Sequence, residues 1–137
     1  MHRGQRSREQ RMIDHISFGV TDFARSVAFY DRAFAPLGVT RLFTVPPEHT
    51  DGVQVTGYGD TAPWFWIAEE NATSGTLHIA LRASDRASVD AFYAAALAAG
   101  GSDNGAPGLR PHYHDAYYGA FVRDPDGHNI EAVCHNP

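Results

Sequence analysis

Lysine is absent from this 137-residue chain, and all eleven of its basic residues are arginine. Four of those, Arg3, Arg6, Arg8 and Arg11, lie in the first eleven residues beside a single acid, Glu9, so from Met12 onward seven arginines face fifteen acids. A folded part so acidic excludes nucleic acid as a natural partner, because that binding needs a basic face. Cysteine is nearly absent as well: Cys134 stands alone, so no internal disulfide forms, which fits a reducing cytoplasm. Cys134 closes an apolar strand with His135 pointing to the opposite face, so it reads as a buried structural thiol rather than a nucleophile. No run is apolar and long enough to cross a bilayer, and the leader "MHRGQRSREQR" lacks the apolar segment of a secretion signal. Residues 1–11 are expected to be a disordered extension before Met12. The chain also lacks GxGxxG, P-loop, CxxC and GxSxG patterns, which removes support for nucleotide-binding, zinc-finger and serine-hydrolase readings.

What is present belongs to a folded globular protein: 43% hydrophobic and 12% aromatic residues in a length suited to one core. The expected organisation is a single domain over residues 12–137. Within it the chain repeats itself. Laying residues 15–38 on 78–101 without a gap matches ten of twenty-four positions, among them His15/His78, Asp22/Asp85, Phe29/Phe92 and Tyr30/Tyr93.

Each copy begins with an alternating strand. In "IDHISFGV" Ile16, Phe18 and Val20 share one face, and His15, Ser17 and Gly19 the other. Thr21 or Asp22 then caps a helix whose stripe is Phe23, Val27, Tyr30, Phe34 and Leu37, and Gly38 ends it. Three strand-like runs follow, "TRLFTV", "GVQVTGYG" and "PWFWIAE", separated by turn signals. The second copy repeats the order with "TLHIALRA", a helix capped at Ser84 or Asp85 and stopped by Gly100-Gly101, and a Gly/Pro-rich connection "GGSDNGAPGLRP". Then come "HYHDAYYGAFVRD", the turn "DPDG" and the strand "HNIEAVCH". The fold class is therefore α+β, two tandem βαβββ modules over about residues 12–70 and 75–135, joined by the polar "EENATSG".

In each module the first strand buries its apolar face under the helix, which leaves His15 and His78 on the other face. Glu131 is the lone carboxylate of an otherwise apolar last strand and needs a partner if buried. Two imidazoles and a carboxylate from three strands make a metal-binding facial triad with open positions. His112 and His114, two apart, would share a strand face as a rival metal pair or a base, or form a polar loop. Among Tyr113, Tyr117 and Tyr118, which line the open face or pack its rim, Tyr118 joins His114 as the preferred catalytic pair, because both precede the strand beside Glu131's. Arg82, on the face of His78, is a candidate to hold an anionic substrate group, with Arg110 a weaker one of the same kind. Trp64 and Trp66 share a face as core or as an aromatic wall, and Trp66 is the substrate-wall candidate. His49 and His128, in turns, are assigned no role.

The doubled βαβββ unit, "DHISFGVTDFARSVAFY", "LHIAL" and the closing "FVRDPDGHNIEAV" resemble the vicinal oxygen chelate superfamily, the glyoxalase/bleomycin resistance protein/extradiol dioxygenase group. The resemblance covers nearly all of Met12 to Cys134 and implies eight strands curled into a half-barrel cup. It puts a divalent metal (Fe, Mn or Zn) on His15, His78 and Glu131, with a small-molecule substrate chelated through two oxygens. It also implies a homodimer, and of the two ways to build the site, within one chain or exchanged between two, it favours exchange, with His15 of one chain joining His78 and Glu131 of the other. Glyoxalase I carries a fourth ligand on the last strand of its first module. Here that place falls near Trp66, with Glu69 and Glu70 too far along, which counts against a lactoylglutathione lyase and favours dioxygenase-like chemistry. The alternative in the same family is a metal-free protein that sequesters a ligand, as bleomycin-resistance proteins do.

Overall fold

The computed structural model describes residues 12–70 and 73–137. The leader, with the extension expected there, and the centre of the connection "EENATSG" lie outside them.

Both modules run strand, helix, strand, strand, strand. The first is β1 (Ile16–Val20), α1 (Phe23–Phe34), β2 (Thr40–Thr44), β3 (Val55–Gly59) and β4 (Pro63–Glu69). The second is β5 (His78–Arg82), α2 (Arg86–Ala98), β6 (Ser102–Leu109), β7 (Tyr118–Arg123) and β8 (Asn129–Cys134). Each builds its own four-stranded sheet, in the orders β1-β4-β3-β2 and β5-β8-β7-β6, with the first and last strands of each module parallel and the remaining pairs antiparallel. No helix among the described residues is long and apolar enough to cross a membrane.

The repeated aspartates are helix caps. Asp22 accepts from the backbone N–H of Arg25 at 3.1 Å, and Asp85 from that of Ser88 at 2.7 Å. Each satisfies one of the orphan donors of a first turn. Gly38 closes the first helical segment at φ 74°, a left-handed angle glycine adopts without strain. The repeated phenylalanines, Phe29 and Phe92, are fully buried in one hydrophobic cluster that draws on both modules. Phe18, Val20, Phe65 and Ile67 enter it from the first sheet, and Leu81, Val122 and Ile130 from the second. The alternation in β1 and β5 therefore sorts the faces as expected.

One strand departs from the sequence reading. "SDNGAPGL" is not a connection but β6, and it survives its glycines and Pro107 because it is the edge strand of its sheet. Its pairing with β7 slips at Gly105 and again before Gly108, so no clean alternation marks it. His112 and His114 accordingly lie in the turn after β6 and share no strand face.

The turn "DPDG" does more than reverse the chain. Gly127 N–H closes it on Asp124 O at 2.9 Å. The Asp124 side chain, 5% exposed, accepts from the N–H groups of Asp126 (2.9 Å) and His128 (2.8 Å) through one oxygen. Its other oxygen accepts from the buried Tyr30 hydroxyl of the first module at 2.5 Å. Thr21 donates from both its hydroxyl and its backbone N–H to Asp126. His128, far from idle, is buried, accepts from Leu77 N–H at 3.0 Å through Nδ1 and meets the Phe18 ring edge-on.

Burial first, and then the Asp124 charge, push the Tyr30 phenol well above its ordinary value, and burial followed by Asp31 does the same to Tyr58. A folded pKa above the unfolded one contributes stability that is full below about pH 10 and lost as pH rises past it. Tyr30→Phe leaves the buried Asp124 carboxylate one donor short and should cost about 1–3 kcal/mol in urea unfolding at neutral pH. The variant should also lose less stability than the wild type between about pH 10 and alkaline denaturation. Equal stability of the two proteins at neutral pH would contradict this role.

Candidate functional site

The second sheet's face away from the core carries a polar cluster. His78 opens β5 and Glu131 sits mid-β8, with Ala80 directly opposite Glu131 in the parallel pair. The His78 Nε2–H donates to Glu131 Oε1 at 2.8 Å. Glu131 is only 2% exposed, whereas the His78 side chain is 56% exposed, so the carboxylate is recessed and the imidazole faces out. The other carboxylate oxygen accepts from the Tyr117 hydroxyl. Burial, and then the hydrogen bond to Glu131, push the Tyr117 phenol up, which keeps it protonated and donating.

Tyr117 shares the face of Gly119 and Phe121, and Phe121 stands opposite Glu131 in the β7–β8 ladder. That parity is the sequence signal that separates it from its neighbour. Gly119 leaves room there: a Cβ at that position would lie 3.1 Å from the Tyr117 ring and 3.4 Å from Glu131 Oε2. Tyr118 turns the other way. Its hydroxyl donates to Asp90 of α2 at 2.6 Å, and the Arg86 guanidinium covers its ring, so the tyrosine beside Glu131 is Tyr117 and not Tyr118.

His114 does reach this side. Its Nδ1 accepts from Ala116 N–H at 3.1 Å, which leaves the proton on Nε2 to be donated to His135 Nδ1 at 2.8 Å. The two rings are stacked, and Tyr117 meets both edge-on. Burial, then the charges of Arg82 and His114, hold His135 below its ordinary value and favour the neutral, accepting ring. Arg82, exposed at the end of β5, thus stands near His135 rather than beside His78. His112 stacks on Tyr113 in the turn and joins no cluster of ligands.

His15 lies elsewhere. It precedes β1 on the open face of the first sheet, exposed and bonded through Nδ1 to Asp14 at 2.7 Å. Trp66 is on that same sheet, paired with Ser17, half-buried and edge-on to Phe43 at 6.4 Å. Among the described residues of one chain, no three His, Cys, Asp or Glu side chains come together in a way that could hold a metal. The modules share a core through their helices, so the faces carrying His15 and His78 do not confront each other within a chain.

The family model described as the Glyoxalase/Bleomycin resistance protein/Dioxygenase superfamily matches residues 12–132. A glyoxalase/bleomycin resistance protein from Albidiferax ferrireducens T118 is 32% identical with a TM-score of 0.68, covering 90% of this chain and 97% of that one. Two more distant structures share the fold. Glyoxalase I from Zea mays is 22% identical (TM-score 0.64), covering 88% of this chain and 45% of that one. A mutant of the fosfomycin resistance protein of Listeria monocytogenes, complexed with Mn(II) and a dihydroxypropylphosphonic acid, is 18% identical (TM-score 0.63), covering 87% of this chain and 86% of that one. Comparison with curated protein sequences gives no match.

Gly57 tests the placement of Trp66. A Cβ there would stand 2.8 Å from both the Trp66 ring and Pro63 Cβ. Gly57→Ala should therefore displace the indole, change the tryptophan emission and cost about 1–3 kcal/mol. Unchanged emission and stability would place Trp66 elsewhere.

Proposed function

The chain belongs to the Glyoxalase/Bleomycin resistance protein/Dioxygenase superfamily, and from that membership we propose that it is a divalent-metal enzyme acting on a small molecule chelated through two of its oxygens. The observation that carries this reading is the convergence of His78 Nε2 and the recessed Glu131 carboxylate at 2.8 Å on one sheet face. An imidazole and a carboxylate already side by side are two thirds of a facial donor set for Fe, Mn or Zn. His15 of a second copy is the third donor, because its own sheet carries it away from the pair. The protein is thus a homodimer with two shared sites, an arrangement compatible with closed twofold symmetry.

When bound, such an ion supplies Lewis acidity toward the two substrate oxygens. The protein's own residues supply the rest. Tyr117 holds Glu131 in orientation by donating to the oxygen His78 does not use. His114, donating to His135, is the proton-carrying group nearest the Tyr117 end of the cluster. The His, His and carboxylate set favours dioxygenase-like chemistry over glutathione-dependent isomerisation, since Trp66 occupies the place aligned with a fourth ligand. A second reading, a metal-free protein that binds and sequesters a small molecule, draws on the fact that His78 and Glu131 already satisfy each other without a metal. A lone, buried thiol at Cys134 supports a place in the reducing cytoplasm.

Elemental analysis of protein purified without chelators separates the two readings. One divalent ion per chain is expected in the wild type, with loss of more than about tenfold in metal affinity in His15→Ala, His78→Ala and Glu131→Ala and retention in His112→Ala. No metal in the wild type would leave the sequestering reading, and equal metal in all of them would place the ion away from His15, His78 and Glu131.

A further inference from the structure

Arg110 is placed in a way that the metal set does not explain. It follows β6, is half-buried, and its backbone N–H bonds to Tyr117 O at 2.8 Å. Its guanidinium lies over the Phe121 ring, 5.4 Å from the centroid, and donates from Nη2 to Ala106 O at 2.7 Å. The room it occupies is made by two glycines. A Cβ at Gly108 would stand 3.1 Å from Nη1, and one at Gly105 would stand 3.3 Å from Nη2. The slips in β6 that disguise it as a connection are thus what let an arginine lie back across the sheet.

The ring beneath that arginine is the one beside the candidate metal ligands. Phe121 stands opposite Glu131, and its ring lies 6.2 Å from that of His78. The guanidinium has no carboxylate of its own: among the described residues the ion pairs join Asp14 to His15, Asp31 to Arg41 and Glu131 to His78. Along β5, β7 and β8 the one carboxylate on this face is Glu131, already engaged by two donors. On a protein of net charge −5 this face is therefore a local reversal, with Arg82 adding to Arg110. A cation held by ring stacking and by two carbonyls, Ala106 O from Nη2 and Leu109 O at 3.5 Å from Nη1, with further N–H groups unspent, is preorganised for a planar or tetrahedral oxyanion. Little rotamer freedom is left to lose when one binds.

We propose that Arg110 is the anion anchor of this site, and that the ligand is a small organic acid bearing a carboxylate or phosphonate a few bonds from its chelating oxygens. The spacing follows from the sheet: the guanidinium lies over Phe121 of β7, which stands opposite Glu131 of β8, so anchor and ligand pair stand one to two strand spacings, roughly 5–10 Å, apart. That span suits an anion on the far side of an aromatic ring or a short carbon chain. The guanidinium already covers the Phe121 ring, so the ligand's apolar body would lie against the stacked pair rather than on the bare ring.

This assignment rests on the same site as the metal reading, but its test does not need the metal. Metal-free full-length protein is titrated calorimetrically with benzoate, phenylphosphonate and neutral benzamide, none of which presents two vicinal chelating oxygens. The anions should bind at least about tenfold more tightly than benzamide. Arg110→Gln should bring the anions down to the benzamide level while leaving benzamide unchanged. Arg110→Lys, which keeps the charge and loses the fork, should fall between the two, and it serves if the Gln variant does not fold. Preference for benzoate over phenylphosphonate, or the reverse, identifies the oxyanion. Equal affinity for benzoate and benzamide in the wild type, no binding of either anion at millimolar concentration, or undiminished anion binding in both Arg110 variants would overturn the proposal. Failure of metal binding with the anion preference intact would instead sink only the metal reading.

Discussion

The hydroxyl of Tyr30 and the carboxylate of Asp124 meet in the interior, and the placement of almost everything else follows from that contact. Asp124 closes the turn between β7 and β8 by accepting from two backbone N–H groups with one oxygen, and the other oxygen is left for the helix of the opposite module. A buried carboxylate with fewer donors would be costly, so the turn, the helix and the register of β8 are held to one arrangement. Glu131 lies on β8, four residues after the last residue of that turn. The position of the candidate ligand is therefore determined by a bond on the other side of its sheet.

The same bond decides how the two modules lie. Tied at Tyr30–Asp124 and Thr21–Asp126, they bring their helices and apolar sheet faces into one core. Their polar faces are consequently turned to different sides of the chain, His15 and Trp66 on one, His78, Glu131, Tyr117 and Arg110 on the other. The repeat that first draws attention to His15 and His78 is thus satisfied internally by caps and core, through Asp22, Asp85, Phe29 and Phe92. In the dimer we propose, the histidines are what it leaves over for a second copy to bring together.

Period-two alternation and capping chemistry make the modules legible in the sequence, because β1 and β5 open each module with one face buried under its helix and each helix begins at an aspartate. The open face is legible by the same parity, which sets His15, His78 and Glu131 away from the core. Parity also contains Tyr117, two residues before Gly119 and four before Phe121, although a preference for residues preceding the strand beside Glu131's selects Tyr118 instead. Strand β6 is not legible, because a bulged edge strand of glycine and proline has neither alternation nor β-propensity. Without β6, the turn carrying His112 and His114 reads as a strand, and the cradle that Gly105 and Gly108 make for Arg110 is invisible. The separation of the two histidine faces is likewise a tertiary fact, set by long-range bonds such as Tyr30–Asp124 that no local pattern announces.

In the dimer we propose, the complete metal set exists only between two chains, and mixing two lesions tests this most directly. His15→Ala and His78→Ala chains, each deficient in metal, are unfolded together, refolded and analysed for bound divalent ion in the dimer fraction. In a mixed dimer with shared sites one site carries both lesions and the other neither, so metal binding should return to about one site in each such dimer. Metal content no higher than that of the two parents, with mixed dimers demonstrably present, would mean that each site is built within a single chain and would contradict the account.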